Sequence, residues 1–352
     1  MSGEQATWVN RVRGLVLGLA LGDSLGRGTM PTSGPIVAGV STQLAAFTID
    51  GVIRASIRST HKGICHPPSV VWHAYCRWAA LQGIEMHDEH RHWSEGSGHW
   101  PDGWLAGVPQ MRERRGSAPA TVKALNQPEQ GTIRRPATHS RGFHALTRSL
   151  PLAALSRTMS EIQLADLTRD VAALTHGDPR AHEATAAAVV LAGRCLSTRR
   201  LEEAAEPDAD RPWPPAAGTL LDEACAILAQ AWQAPRQKAR LARVAPDATA
   251  PSALLGGVYV AASWPEPAEA LEALAFAATA PDGDCVAAVA GAMLGALHGV
   301  DVWPVELLSR LELAWVMDTL ARDLVSEVTD SPGGSGYTPP EDPFWLDRYP
   351  GW

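Results

Sequence analysis

Two carboxylates stand two residues apart in Asp282-Gly283-Asp284-Cys285, just ahead of a small-residue run from Val286 to Gly299. Acids at the head of a helix do one of two things. They hold a cation or a ligand hydroxyl, or they satisfy the free N–H groups of the first turn. Magnesium requires near-octahedral oxygen coordination, usually from carboxylates and waters. Asp282 and Asp284 alone therefore support at most one weakly held magnesium ion. Cys285 adds only a soft sulfur, which suits that metal poorly.

Other groups carry weaker signals. His87-Asp-Glu-His90-Arg-His92 contains metal-ligand residue types, but with no companion cluster it reads as a solvated loop. The 13 tryptophans, Trp93, Trp100, Trp104, Trp345 and Trp352 among them, offer surfaces for stacking on a base; most are expected to be core or loop anchors. Asp23 reads as a structural hydrogen-bonding residue.

A set of helices must position these groups. Gly14, Gly18, Gly22 and Gly26 recur every fourth residue, and Gly291, Gly295 and Gly299 repeat the device. Each glycine weakens a helix by about 1 kcal/mol relative to alanine, so two such stripes predict two helices packed backbone to backbone. Helical periodicity is expected over about residues 8–26, 44–58, 68–82, 158–174, 180–197, 219–243, 268–280 and 305–328. A further core helix follows Val286. No long alternating segment predicts a strand. The expectation is one all-α domain over residues 1–352 with long loops, a proline-rich surface insertion at 199–218, and an aromatic tail at 330–352 that docks.

Composition narrows the class. The formal charge is −8, from 30 Lys+Arg against 38 Asp+Glu, which argues against a nucleic-acid partner. Five scattered cysteines without C-x-x-C pairing fit a reducing, cytoplasmic setting. The apolar runs at 14–22 and 285–300 are too short to span a bilayer, so no membrane association is expected.

Four segments, in order, resemble the ADP-ribosylglycohydrolase family. Arg11 to Gly26 is similar to its first helix, R-x-x-G-x-x-x-G-x-A-x-G-D-x-x-G. Ser140 to Pro151 resembles its phosphate loop, S-x-G-x-G-x-x-M-R-x-x-P, with His144 at the second glycine and Thr147 at the methionine. Thr175-His176-Gly-Asp-Pro179 is similar to T-H-G-x-P, and Asp282 to Cys285 to the D-x-D-T/S metal motif.

The resemblance implies an all-helical fold and two magnesium ions, held by a T/S-D-D-T-Q element and the D-x-D-T/S element. It also implies a ligand site made by Thr42, Gln43, Ser140, Gly142, His144, Arg148 and His176. Aligning Thr42-Gln43 with T-Q places Gly39, Val40 and Ser41 where the hydroxyl residue and both aspartates belong. Some members carry a glutamate soon after the first helix; here Gly26-Arg27-Gly28-Thr29-Met30-Pro31 has no carboxylate. Two divalent ions close together need several anionic ligands, so no dinuclear centre is expected. The expected protein binds a nucleotide-like or ADP-ribose-like ligand, or an ADP-ribosylated protein, with hydrolysis lost or much reduced. Two alternatives stand beside it: a glycohydrolase working with one metal or none through Asp282 and Asp284, and an interaction protein with an empty cleft.

Overall fold

Small residues set how closely the helices of this chain approach. The computed structural model describes residues 3–28, 33–90, 100–206 and 212–351. Among them are ten α-helices of eight residues or more: α1 (Gly3–Leu25), α2 (Val40–Lys62), α3 (Pro67–Leu81), α4 (Glu161–Ala173), α5 (Pro179–Cys195), α6 (Gly218–Gln233), α7 (Ala250–Ser263), α8 (Ala270–Ala277), α9 (Gly283–His298) and α10 (Ala314–Thr329). No strand forms among the described residues; two isolated bridges join Ile36 to Leu311 and Gly142 to Thr249. Among those residues, no helix is long and apolar enough to cross a membrane.

The tightest pair is α1 against α9, running antiparallel. Gly14 meets Gly295 and Gly299, Gly18 meets Gly291, Gly22 meets Ala287, and Gly26 meets Gly283 and Asp284. A Cβ added at Gly18 would lie 2.2 Å from the Gly291 carbonyl oxygen, and one at Gly22 would lie 2.1 Å from that of Ala287. Neither fits. The glycine stripe thus costs helix propensity and is offset by backbone contact that no larger residue permits. α7 and α8 cover another side of α9, while α2 packs on α3 and α10.

Most expected helices are present, with four differences. α2 starts at Val40, four residues earlier than its periodicity indicates, and ends where Gly63 turns left-handed at φ 70°. The segment expected at 219–243 breaks after Gln233, because Ala234 precedes Pro235 and cannot stay helical. The segment expected at 305–328 breaks near Leu311, whose neighbours Arg310 and Glu312 exchange backbone hydrogen bonds with Ile36. α7 lies where no element was expected. Its Gly256-Gly257 pair and Val258-Tyr259-Val260 argue against a helix, and burial on nearly every side removes the amphipathic period.

The C-terminal segment packs over α2 and α10. Trp345 Nε1 donates to Glu327 at 2.9 Å, Tyr349 Oη to Asp323 at 2.6 Å, and Arg54 to the Pro350 carbonyl at 3.3 Å. Trp345 and Tyr349 are buried. Trp93, Trp352, Thr29–Pro31 and part of the proline-rich 199–218 segment lie outside the described residues.

Two stability outcomes are expected. Gly18→Ala, which drives a methyl into the α9 backbone, lowers stability by about 1–3 kcal/mol or more, read from chemical denaturation. Deleting residues 340–352 exposes the seats of Trp345 and Tyr349 and costs at least about 3 kcal/mol; an unchanged melting temperature would contradict this docking.

Candidate functional site

The close α1–α9 contact brings the C-terminal end of α1 beside the N-terminal end of α9, and a cleft of about 390 Å³ opens there. That volume is in the usual range for small-molecule sites. Its polar lining comes from Arg27, Ser117, Ser140, His144, His176 and Asp284, and its apolar lining includes Val40, Pro119, Phe143 and Ala248. A larger, more open groove of about 690 Å³ lies at the other end of α1. There Arg11 is already engaged by the carbonyls of Leu196 and Thr198, and Asn10 by Asp301 and the Val300 N–H.

The first turn of α2 carries no acid, as its sequence shows. Asp23, buried at the end of α1, accepts the Thr42 N–H at 3.0 Å and the Thr42 hydroxyl at 2.7 Å. It therefore satisfies an orphan donor in the first turn of α2 from a different helix. Burial pushes the Asp23 carboxyl above its ordinary range, while Arg27 and Thr42 act in the opposite sense. Val40 lines the cleft with a side chain that has no donor or acceptor.

Ser41 belongs to a hydrogen-bond chain. Thr147 Oγ1 donates to Ser41 Oγ at 3.1 Å, and Ser41 Oγ lies 3.3 Å from His144 Nδ1. The other ring nitrogen, His144 Nε2, is 3.1 Å from the Ser117 carbonyl. A carbonyl only accepts, so the proton is assigned to Nε2, and Nδ1 accepts from the serine. Burial is the main cause that lowers the His144 pKa to about 4, with Arg148 and Arg27 adding to it and the Ser117 bond opposing it. This imidazole is neutral, and both its nitrogens are engaged.

Arg27 was singled out by no motif. Its Nη1 donates to the Arg115 carbonyl at 3.0 Å, its Nη2 lies 3.4 Å from Asp23, and its Nε lies 3.9 Å from Asp284. Asp284 in turn accepts its neighbour's N–H, from Cys285, at 2.8 Å. Asp282 does not line the cleft; burial, then Asp284 and Asp247, raise its carboxyl pKa. Cys285 is buried and its thiol pKa is pushed well up, first by burial and then by the two acids.

Three residues expected at a ligand sit elsewhere. Arg148 is fully buried, with Nη1 on Thr121 Oγ1 at 3.2 Å, Nη2 on the Val171 carbonyl at 3.1 Å, and its guanidinium 4.3 Å from the Tyr75 ring centroid. It cannot reach a phosphate in the cleft. Thr42 is engaged by Asp23. Gln43 holds a loop in place: its amide donates to the carbonyls of Gln110 and Glu113 and its oxygen accepts from Gln82 at 2.7 Å.

Ser140, Gly142, His144 and His176 do line the cleft. The Gly142 N–H is taken by Ser140 Oγ at 3.1 Å and the Phe143 N–H by the Ala248 carbonyl at 3.2 Å, so this loop has little backbone left for phosphate. His176 bonds Thr175 Oγ1 through Nδ1 at 2.8 Å, and burial holds its pKa well below the usual value. Its Nε2 lies near Gly142 and Ser140, at the cleft. His90, from the histidine-rich loop, is buried against Trp72 and bonds the Gln127 carbonyl; His92 is outside the described residues. Among the described residues, no three His, Cys, Asp or Glu side chains come together as a metal site would require.

The profile of the ADP-ribosylglycohydrolase family matches residues 4–333. The chain belongs to that family. No curated protein sequence matches it significantly. A solved structure, an ADP-ribosylglycohydrolase-related protein complex, is similar over 91% of this chain and 98% of its own, with a TM-score of 0.52 and 20% identity. At that identity the likeness establishes the helical fold and no more. Within the ADP-ribosylglycohydrolase fold, the cleft is where the four recognisable sequence segments converge.

The neutral His144 carries a pH signature. The unfolded chain takes up this proton near pH 6.5 and the folded chain only near 4. The stability contribution is fully present above about 6.5 and is lost as pH falls toward 4. Replacing His144 with Gln is expected to flatten the fall in stability over that window by up to about 1.4 kcal/mol per pH unit, measured as the wild-type-minus-variant difference in urea midpoints.

Proposed function

We propose that this protein is a divergent ADP-ribosylglycohydrolase that binds a nucleoside- or nucleotide-like small molecule in the α1–α9 cleft and has lost dimagnesium hydrolysis. The observation that carries this reading is the Thr147–Ser41–His144 chain. It ties into a neutral network one of the two positions where the family resemblance calls for magnesium-binding aspartates, Ser41, while the apolar Val40 stands at the other. The donor set does not fit a pair of magnesium ions. Val40 supplies no ligand atom, Ser41 and His144 are committed to each other, and Asp284 is the one carboxylate lining the cleft among the described residues. Holding two divalent ions with so little negative charge is electrostatically unfavourable.

Ligand binding is supported by what remains. Phe143 and Val40 give an apolar wall, and Ser140, His176 and Asp284 give polar groups suited to hydroxyls and ring nitrogens. A rival reading, hydrolysis with one metal or none, rests on Asp284 as a partly exposed carboxylate at the cleft. Incubation with an ADP-ribosylated protein in excess magnesium is expected to release no ADP-ribose, while calorimetry shows saturable binding of adenosine or ADP-ribose. Metal-dependent release, abolished in Asp284→Ala, would sink the proposal and establish the rival.

A further inference from the structure

Resting on the ligand-binding reading above, the geometry of Arg27 specifies the kind of ligand. A Cβ built on Gly39 would lie 2.0 Å from Arg27 Nη2 and 2.4 and 2.5 Å from the Asp23 carboxylate oxygens. The guanidinium and its acid thus fill the space that a side chain at position 39 would need. Gly39 is the residue that makes room for Arg27. The same guanidinium faces Asp284 at 3.9 Å and is tethered by the Arg115 carbonyl at 3.0 Å. One fixed positive charge therefore sits between the acid that ends α1 and the acid that begins α9.

No other cationic side chain lines the cleft among the described residues. Arg148 is fully buried and held by Thr121, Val171 and Tyr75. Arg141, beside the cleft in sequence, is half exposed and faces Asp247 at 3.6 Å. Arg27 is already balanced by Asp23 and Asp284, so a phosphate or pyrophosphate entering the cleft would meet no surplus positive charge. An uncharged ring bearing hydroxyls meets a better match: Asp284 accepts from a diol, Ser140 both donates and accepts, and Phe143 offers a face for a flat heterocycle.

We propose that Arg27 is a tethered stand-in for a metal cation, and that the cleft in consequence selects an uncharged nucleoside over its phosphorylated forms. Calorimetry on the full-length protein with adenosine, AMP and ADP-ribose, each with EDTA and with magnesium, tests this. Adenosine is expected to bind at least about tenfold more tightly than ADP-ribose, a difference of about 1.4 kcal/mol, with no effect of magnesium. Tighter binding of AMP or ADP-ribose, or magnesium-strengthened binding, would overturn this proposal while leaving the ligand-binding reading intact. Binding of none of the three would overturn both.

A second arm addresses Arg27 itself. Arg27→Ala leaves Asp23 and Asp284 without their counter-ion, and magnesium alone is expected to raise its melting temperature by at least about 2 °C. Neither the wild type nor Arg27→Lys is expected to respond. Equal responses from all three proteins would overturn the role given to Arg27. Should Arg27→Ala not fold, a magnesium-dependent shift in wild type and Arg27→Lys would still refute it.

Discussion

The backbone contact between α1 and α9 is the constraint on which the rest of this structure depends. Three successive turns of α1, at Gly14, Gly18 and Gly22, and Gly26 just after it meet the α9 backbone directly. Such a contact has one register, because a shift by a residue would set Leu15, Leu19 or another large side chain against a carbonyl. Fixing the register fixes the ends. Asp23, Arg27 and Asp284 are neighbours because the helices that carry them cannot slide, although Asp284 lies more than 250 residues away in sequence.

Charge balance in the cleft follows from that placement. Asp23, Arg27 and Asp284 form an alternating row, and Arg148 is buried against Thr121, Val171 and Tyr75. A guanidinium stays protonated in nearly any surroundings; here two hydrogen bonds and the Tyr75 ring offset its desolvation. Its charge, added to burial, keeps His144 and His176 neutral. The floor of the cleft thus holds uncharged imidazoles, with the His144 tautomer set by the Ser117 carbonyl.

Much of the fold was legible because glycine spacing and motif order are local signals. The stripes at 14–26 and 291–299 announce their contact, and the four family-like segments keep their order along the chain. The site was legible in part. Ser140, Gly142, His144, His176 and Asp284 do converge, but whether an arginine faces a ligand or the core is decided by tertiary packing. Arg148 matches the phosphate-loop pattern and turns inward; Arg27, in no pattern, lines the cleft. α7 escaped detection for a related reason. A helix buried on nearly all sides has no polar face, and periodicity is blind to it.

The differences from the resembled motifs at Gly39, Val40, Ser41, His144 and Thr147 look unrelated in the sequence. In space they interlock. Gly39 admits Arg27, Ser41 bonds both His144 and Thr147, and Val40 and His144 line the same cleft. A buried polar atom left without a partner costs about 1–3 kcal/mol. Both ring nitrogens of His144 and the Ser41 hydroxyl instead find partners here. Asp23 shows the complementary point. It keeps its place in the first-helix motif, yet its oxygens are engaged by Thr42 in closing the first turn of α2. An acid retained from the motif is thus explained by helix capping, and its presence says nothing for catalysis.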